Sequence, residues 1–157
     1  MNDPDYALLT SQMRAVLDGE TDALANASNF VALLYDALDD VNWLGIYVLR
    51  DQELVLGPFQ GKPACVRIPV GSGVCGTAAA MLESQRVADV HAFPGHIVCD
   101  AASRSELVVP LLVDDILVGV LDIDSPSIDR FSESDQQGIE ALTAAYCQLH
   151  AGRKGFI

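Results

Sequence analysis

Positive charge is scarce in this chain. Nine Lys and Arg stand against 22 Asp and Glu, a formal net charge of −13. Nucleic acid and anionic membrane surfaces gain nothing by releasing counterions to so acidic a protein, so neither is an expected partner. No apolar run approaches the ~20 residues of a membrane span. The opening residues, MNDPDYALLTSQMR, lack the basic-then-apolar layout of a secretion signal, so the cytoplasm is the expected compartment. The four cysteines, Cys65, Cys75, Cys99 and Cys147, include no CxxC pair. A structural zinc site of the usual spacing is therefore not expected, nor is a disulfide framework in a reducing compartment. The glycine-rich GSGVCGTA at 71–78 lacks the Lys-Ser/Thr of a P-loop and the full GxGxxG spacing of a dinucleotide loop. Nothing here calls for a metal or an organic cofactor.

What is present reads as one domain over residues 1–157, half of them apolar, enough for a core that folds without staples. Two helices come first: Leu9, Met13 and Val16 form a stripe that ends at Gly19, then Leu24, Val31, Leu34 and Leu38 recur at helical spacing. The period then changes. VNWLGIYVLRDQELVLGPF reads as two strands around Arg50 to Gln52, and ACVRIPV as a third. VCGTAAAMLESQ follows as a helix with glycines just before its start. SELVVPLLVDDILVGVLDID is a strong hairpin signal around Asp114-Asp115. The last helix has Ser132 as N-cap, Asp135 three residues on, and a stripe of Ile139, Leu142, Tyr146 and Leu149. Connections this short favour antiparallel pairing. The expected class is α+β: a central antiparallel β-sheet with N- and C-terminal helices on a face.

One stretch fits neither period. FPGHIVCDAASRSE, residues 93–106, gathers a histidine, a cysteine and acids around a Pro-Gly turn. Unpatterned loops of this length are commonly functional. Asp122 and Asp124, two apart on a strand, leave the same face as Val118 and Val120. They either crowd an apolar surface or mark where the strand emerges into solvent. A two-residue turn at Asp114-Asp115 would put Glu106 on the opposite face; only an odd-length turn or a bulge brings the three acids together. Trp43 and Tyr47 share a face with Gly45 between them, either an aromatic wall with a gap for a ligand or ordinary core. Backbone N–H groups at the helix start near Val74 can hold an anion. The same helix end would lower the pKa of Cys75. Spacing does not choose a nucleophile among Cys65, Cys75 and Cys99, and Cys75 looks the most activated; Cys147, inside a helix, reads as structural.

NWLGIY, GVCGTA, DVHAFPGHIVCD, SRSELVVPL and GVLDIDSPSIDRF together resemble the free methionine-R-sulfoxide reductases, a catalytic branch of the GAF fold. The likeness runs from Asn42 to the last helix, without departure at the matched motif positions. It implies a GAF-like fold and a thiol-dependent reduction of free L-methionine-(R)-sulfoxide through a sulfenic acid and an intramolecular disulfide. It implies Cys99 as nucleophile, Cys65 as resolving thiol and Cys75 as auxiliary, overruling the preference for Cys75. It places Glu106, Asp122 and Asp124 in an acidic cluster and Trp43 and Tyr47 around the substrate's apolar groups. It also implies thioredoxin as reductant, and a homodimer is the expected assembly, as is common among GAF domains. His91 and His96 either orient the loop, raise the acidity around Cys99 or play a plain structural role. The alternative is a GAF-type module that senses a small ligand or redox state without turnover.

Overall fold

The computed structural model describes residues 4–157. Helices α1 (Tyr6–Leu17) and α2 (Ala23–Ala37) lead into a hairpin, β1 (Trp43–Arg50) and β2 (Glu53–Gln60). A short β3 (Arg67–Pro69) and α3 (Gly73–Met81) follow, then β4 (Gln85–Val87) and a 3-10 turn over Val90–Ala92. The long hairpin β5 (Ser105–Val113) and β6 (Ile116–Ser125) precedes α4 (Glu133–Gln148). The six strands form one sheet in the order β3-β2-β1-β6-β5-β4, every neighbouring pair antiparallel. The α+β class and the GAF-like arrangement expected from the sequence are both found. No helix among the described residues is long and apolar enough to cross a membrane.

The sheet is buried on both faces, and β1 shows why. Leu44, Ile46 and Val48 point to the face covered by α1, α2 and α4, where Met13, Phe30, Leu34 and Tyr146 are wholly enclosed. Trp43 and Tyr47 point to the other, beneath α3, beside Val74, Cys75, Ala78, Val108 and Val120. The helices are therefore not confined to one face: α3 stands alone on the second, and the 89–104 segment lies beside it.

Both leading helices are rotated slightly from the expected stripes. Leu17, not Val16, joins Leu9 and Met13 in the core, and Val16 is 51% exposed. In α2 the buried face centres on Ala27, Phe30, Val31 and Leu34, leaving Leu24 at its edge in the first turn, 54% exposed. Leu149 caps α4 half-buried instead of lying in its stripe. The α4 start is as expected: Ser132 Oγ accepts from Asp135 N at 3.0 Å, and Asp135 Oδ2 accepts from Ser132 N at 2.8 Å. Where α1 crosses α4, Gly138 makes room for the Tyr6 ring, whose hydroxyl donates to Asp135. A Cβ on residue 138 would overlap that ring. Gly138→Val is therefore expected to cost about 1–3 kcal/mol in a urea titration, by overpacking; an unchanged midpoint would show that Tyr6 yields freely.

The β5–β6 register decides what the second face carries. Asp114 and Asp115 have φ of 51° and 62°, as a two-residue hairpin turn of the I′ kind requires. Counted straight from that turn, Glu106 would face Ile123 and point away from the aspartates. A bulge intervenes. Leu112 pairs with Leu117 but Leu111 pairs with Gly119, leaving Val118 unmatched. Beyond it Glu106 pairs with Asp124 and Val108 with Asp122, so all three acids share a face. The same bulge flips the alternation of β6. Leu117 packs with the α3 side and Val118 with the three-helix side, so Val118 does not share the face of Val120.

Candidate active site

A pocket opens on the α3 face, and its floor follows from strand pairing. On β1, Trp43 pairs with Asp124, Gly45 with Asp122 and Tyr47 with Val120. With the bulged β5 register, Trp43, Asp124 and Glu106 form one row across three strands, and Gly45, Asp122 and Val108 the next. Trp43, Tyr47, Glu106, Asp122 and Asp124 all line the pocket. No ligand gap opens over Gly45: a Cβ there would sit 2.5 Å from Trp43 Cη2. The tryptophan's own ring fills that space.

The polar ends of the aromatics hold the rim. Trp43 Nε1 donates to the Lys62 carbonyl at 3.0 Å, and Tyr47 Oη to the Cys65 carbonyl at 2.9 Å. Both fix the β2–β3 connection, which carries Cys65. Opposite, the 93–104 segment is pinned at its base. Arg104 N donates to Ser125 O at 2.7 Å, and Asn42 Nδ2 reaches Asp100 Oδ2 at 3.3 Å and Ser103 Oγ at 3.2 Å. These anchors bring Cys99 to Cys65: the two form a disulfide with Cα atoms 5.4 Å apart. Cys99 lines the pocket, whereas Cys65 does not.

The third wall is the start of α3. Ser72 is the N-cap residue but makes no side-chain cap. The N–H groups of Gly73, Val74 and Cys75 have no acceptor within their helix and line a site suited to an anion. Gly73 has φ +63°, and a Cβ on it would press on Ile97 Cγ1 at 3.1 Å. Only glycine lets the 93–104 segment close so near the helix.

The electrostatics run against one expectation. Cys75 does sit in the first turn of α3, but it is 3% exposed, with Sγ 3.8 Å from Glu106 Oε1. Burial, and then the negative charge of Asp122 and Glu106, push its thiol well above the ordinary range. The helix end does not activate it, because desolvation and adjacent carboxylates outweigh the dipole. The acids disfavour one another likewise. Burial and then Asp122 and Asp124 drive Glu106 well above the usual carboxylate range. Burial lifts Asp122 to about 6, and burial followed by Asp122 raises Asp124. Asp124 is the most exposed of the three, yet burial and the Asp122 charge still hold it well above the ordinary carboxylate range. Glu106, 6% exposed and facing two other carboxyls, is the least exposed of the three.

The two histidines part company. His91 is exposed and bound to Asp89 at 3.0 Å, away from the pocket. His96 lines the pocket, its Nε2 3.9 Å from Glu106 Oε2. Burial lowers its pKa, so the neutral imidazole prevails and this contact is not an ion pair. Cys147 is buried in α4 on the far side of the sheet, a packing residue. Asn42, Ser72, Gly73, Ile97, Asp100 and Ser103 all stood inside quoted segments, but nothing local signalled their contacts.

Residues 12–146 match the GAF domain family. The chain is 58% identical to the free methionine-R-sulfoxide reductase of Escherichia coli strain K12 over 139 residues, 88% of this chain and 84% of that protein. It is 44% identical to the Saccharomyces cerevisiae protein of the same name, covering 80% of this chain and 74% of that one. Among solved structures, the fRMsr of Staphylococcus aureus in complex with substrate superposes with a TM-score of 0.91 at 50% identity, covering 96% of this chain and 99% of that one. The free methionine-R-sulfoxide reductase of Neisseria meningitidis in complex with its substrate gives 0.87 at 41%, covering 94% and 91%. The chain belongs to the GAF-domain family and, within it, to the free methionine-R-sulfoxide reductases.

Proposed function

We propose that this protein reduces free L-methionine-(R)-sulfoxide to L-methionine, with Cys99 as the attacking thiol and Cys65 as the resolving one. The observation that carries the reading is the placement of a Cys99–Cys65 pair over a face bearing Glu106, Asp122 and Asp124, walled by Trp43 and Tyr47. The relatives named above, two of them solved with substrate, supply the substrate class.

In the reduced enzyme the Cys99 thiolate attacks the sulfoxide sulfur. The sulfoxide oxygen takes a proton from the carboxylic acid of Glu106 and its bond to sulfur breaks, releasing hydroxide. Hydroxide then attacks Cys99 Sγ and breaks the bond between Cys99 and the substrate sulfur, leaving methionine and a Cys99 sulfenic acid. The Cys65 thiol then attacks Cys99 Sγ, water departs, and the disulfide forms. One sulfoxide and two thiols give one thioether, one disulfide and one water. An external dithiol, a thioredoxin-type protein in our reading, restores both thiols by exchange. Cys75, buried and hard to ionise, supports the Glu106 carboxyl and does not attack.

Binding uses the remaining groups. Trp43 and Tyr47 receive the methyl and methylene groups. Asp122 and Asp124 face the α-ammonium, and the N–H groups of Gly73 to Cys75 face the α-carboxylate. A methionine sulfoxide within a polypeptide has neither charge and would leave these buried groups unpaired. Turnover with free and N-acetylated methionine-(R)-sulfoxide tests this: kcat/KM should fall by on the order of 10⁴ on acetylation. Equal rates would mean that the pocket does not read the amino-acid head group.

A further inference from the structure

Cys75 has surroundings that suit a ligand better than a nucleophile. Its Sγ and one carboxylate oxygen each from Glu106 and Asp122 lie within 4.8 Å of one another, all three residues buried. The Sγ to Glu106 Oε1 distance is 3.8 Å. A sulfur and an oxygen on one tetrahedral zinc ion, with bonds of about 2.3 and 2.0 Å, stand roughly 3.5 Å apart. His96 Nε2, 3.9 Å from the other Glu106 oxygen, puts an imidazole donor on the same wall.

A second observation is independent of that spacing. Asp122 is only 7% exposed, and its Oδ1 is buried with no hydrogen-bond partner in a pocket that the residue lines. Buried carboxylate oxygens normally have a donor or a cation against them. The side-chain contacts of Asp122 run to Glu106 and Cys75, the other members of the cluster, and Oδ1 is left without a partner. The donor set also discriminates. A thiolate among carboxylates favours zinc over magnesium or calcium, which prefer oxygen alone.

We infer that this pocket binds a thiophilic divalent cation, zinc the best match, through Cys75, Glu106 and Asp122. The bound ion occupies the ground where the sulfoxide would sit, so it acts as a reversible inhibitor; that second half rests on the function proposed above. The ligands come from α3, β5 and β6, so no sequence spacing reveals them. None belongs to the disulfide, so the site persists in both redox states.

The test uses the full chain with its disulfide formed, which leaves Cys75 and Cys147 as the remaining thiols. Titration with cobalt(II) should give a sulfur-to-cobalt charge-transfer band and the visible bands of a tetrahedral ion, both bleached by zinc. The band should survive Cys147→Ser and vanish in Cys75→Ser. Asp122→Asn should weaken zinc binding about tenfold or more by calorimetry, a loss at least that of outer-shell changes. Should Cys75→Ser not fold, the calorimetric arm decides alone. No band in the wild type, a band intact in folded Cys75→Ser, or unchanged zinc affinity in Asp122→Asn would overturn the site. Displacement of cobalt by free methionine sulfoxide is expected; simultaneous binding of both would overturn the inhibitory half. Turnover measured with chelator present reports on the reductase reading by itself.

Discussion

Cys99→Ser is expected to abolish methionine formation, a loss on the order of 10³ or more, as removal of an attacking group gives elsewhere. Serine keeps the size and position of the side chain, and the residue is only partly buried, so the fold survives. What is lost is a nucleophilic sulfur that forms a stable bond to another sulfur. Stability carries a second signature. The Cys65–Cys99 link spans 34 residues of sequence. By loop entropy its closure stabilises the folded chain by about 2–4 kcal/mol. Wild type should therefore melt higher oxidised than reduced, and Cys99→Ser should melt alike in both conditions. Cys75→Ser should keep the redox-dependent difference, since Cys75 is no part of the bond. Loss of that difference in Cys75→Ser would mean that the thiols pair otherwise.

The second large effect separates the acids. Glu106→Gln is expected to lower kcat by about 10²–10⁴, the usual contribution of a general acid. Asp122→Asn is expected to act mainly on KM, because it removes an anion facing the ammonium. Both should also change stability with pH. Burial raises the Asp122 carboxyl to about 6, above its ordinary value, so the folded state holds the proton more tightly than the unfolded one. Its favourable contribution is complete below about pH 4 and is lost as pH rises through about 6. At pH 7 wild type bears that cost, at most about 3 kcal/mol. Asp122→Asn should accordingly be more stable than wild type at pH 7, by about 1–3 kcal/mol, and equal to it near pH 4. Urea titrations at both pH values check this. A variant less stable at pH 7 would mean that the carboxylate is well paired in the folded state. Gain of stability with loss of function is what an acid cluster kept for chemistry should give.

The sequence carried much of this, unevenly. Strands β1, β2, β5 and β6 and helix α4 were legible from alternation, turn residues and the Ser132–Asp135 cap. The very short β3 was legible as a strand; β4, three residues without an alternating run, was not. The convergence of Glu106 with Asp122 and Asp124 was legible only as a condition: a bulge or an odd turn had to exist. No residue in ILVGVLDID announces that Val118 is the extra one. Cys75 was misread for a physical reason. Its position at a helix start is visible in sequence, but burial and neighbouring acids are not, and they decide the sign of its shift. Of the two readings of Gly45, the ligand gap is not realised because its space is taken by a side chain two residues away. The links that aim Cys99, from Asn42 to Asp100 and Ser103, span about sixty residues and leave no local trace.

The most direct measurement is single-turnover reduction of free methionine-(R)-sulfoxide by pre-reduced protein, with no other reductant present. Wild type and Cys65→Ser should each release stoichiometric methionine, wild type ending with the Cys65–Cys99 disulfide and Cys65→Ser with a Cys99 sulfenic acid trapped by dimedone. Cys99→Ser should release none. Methionine from Cys99→Ser at the wild-type rate would contradict the central claim, and methionine from no protein at all would remove the reductase with it.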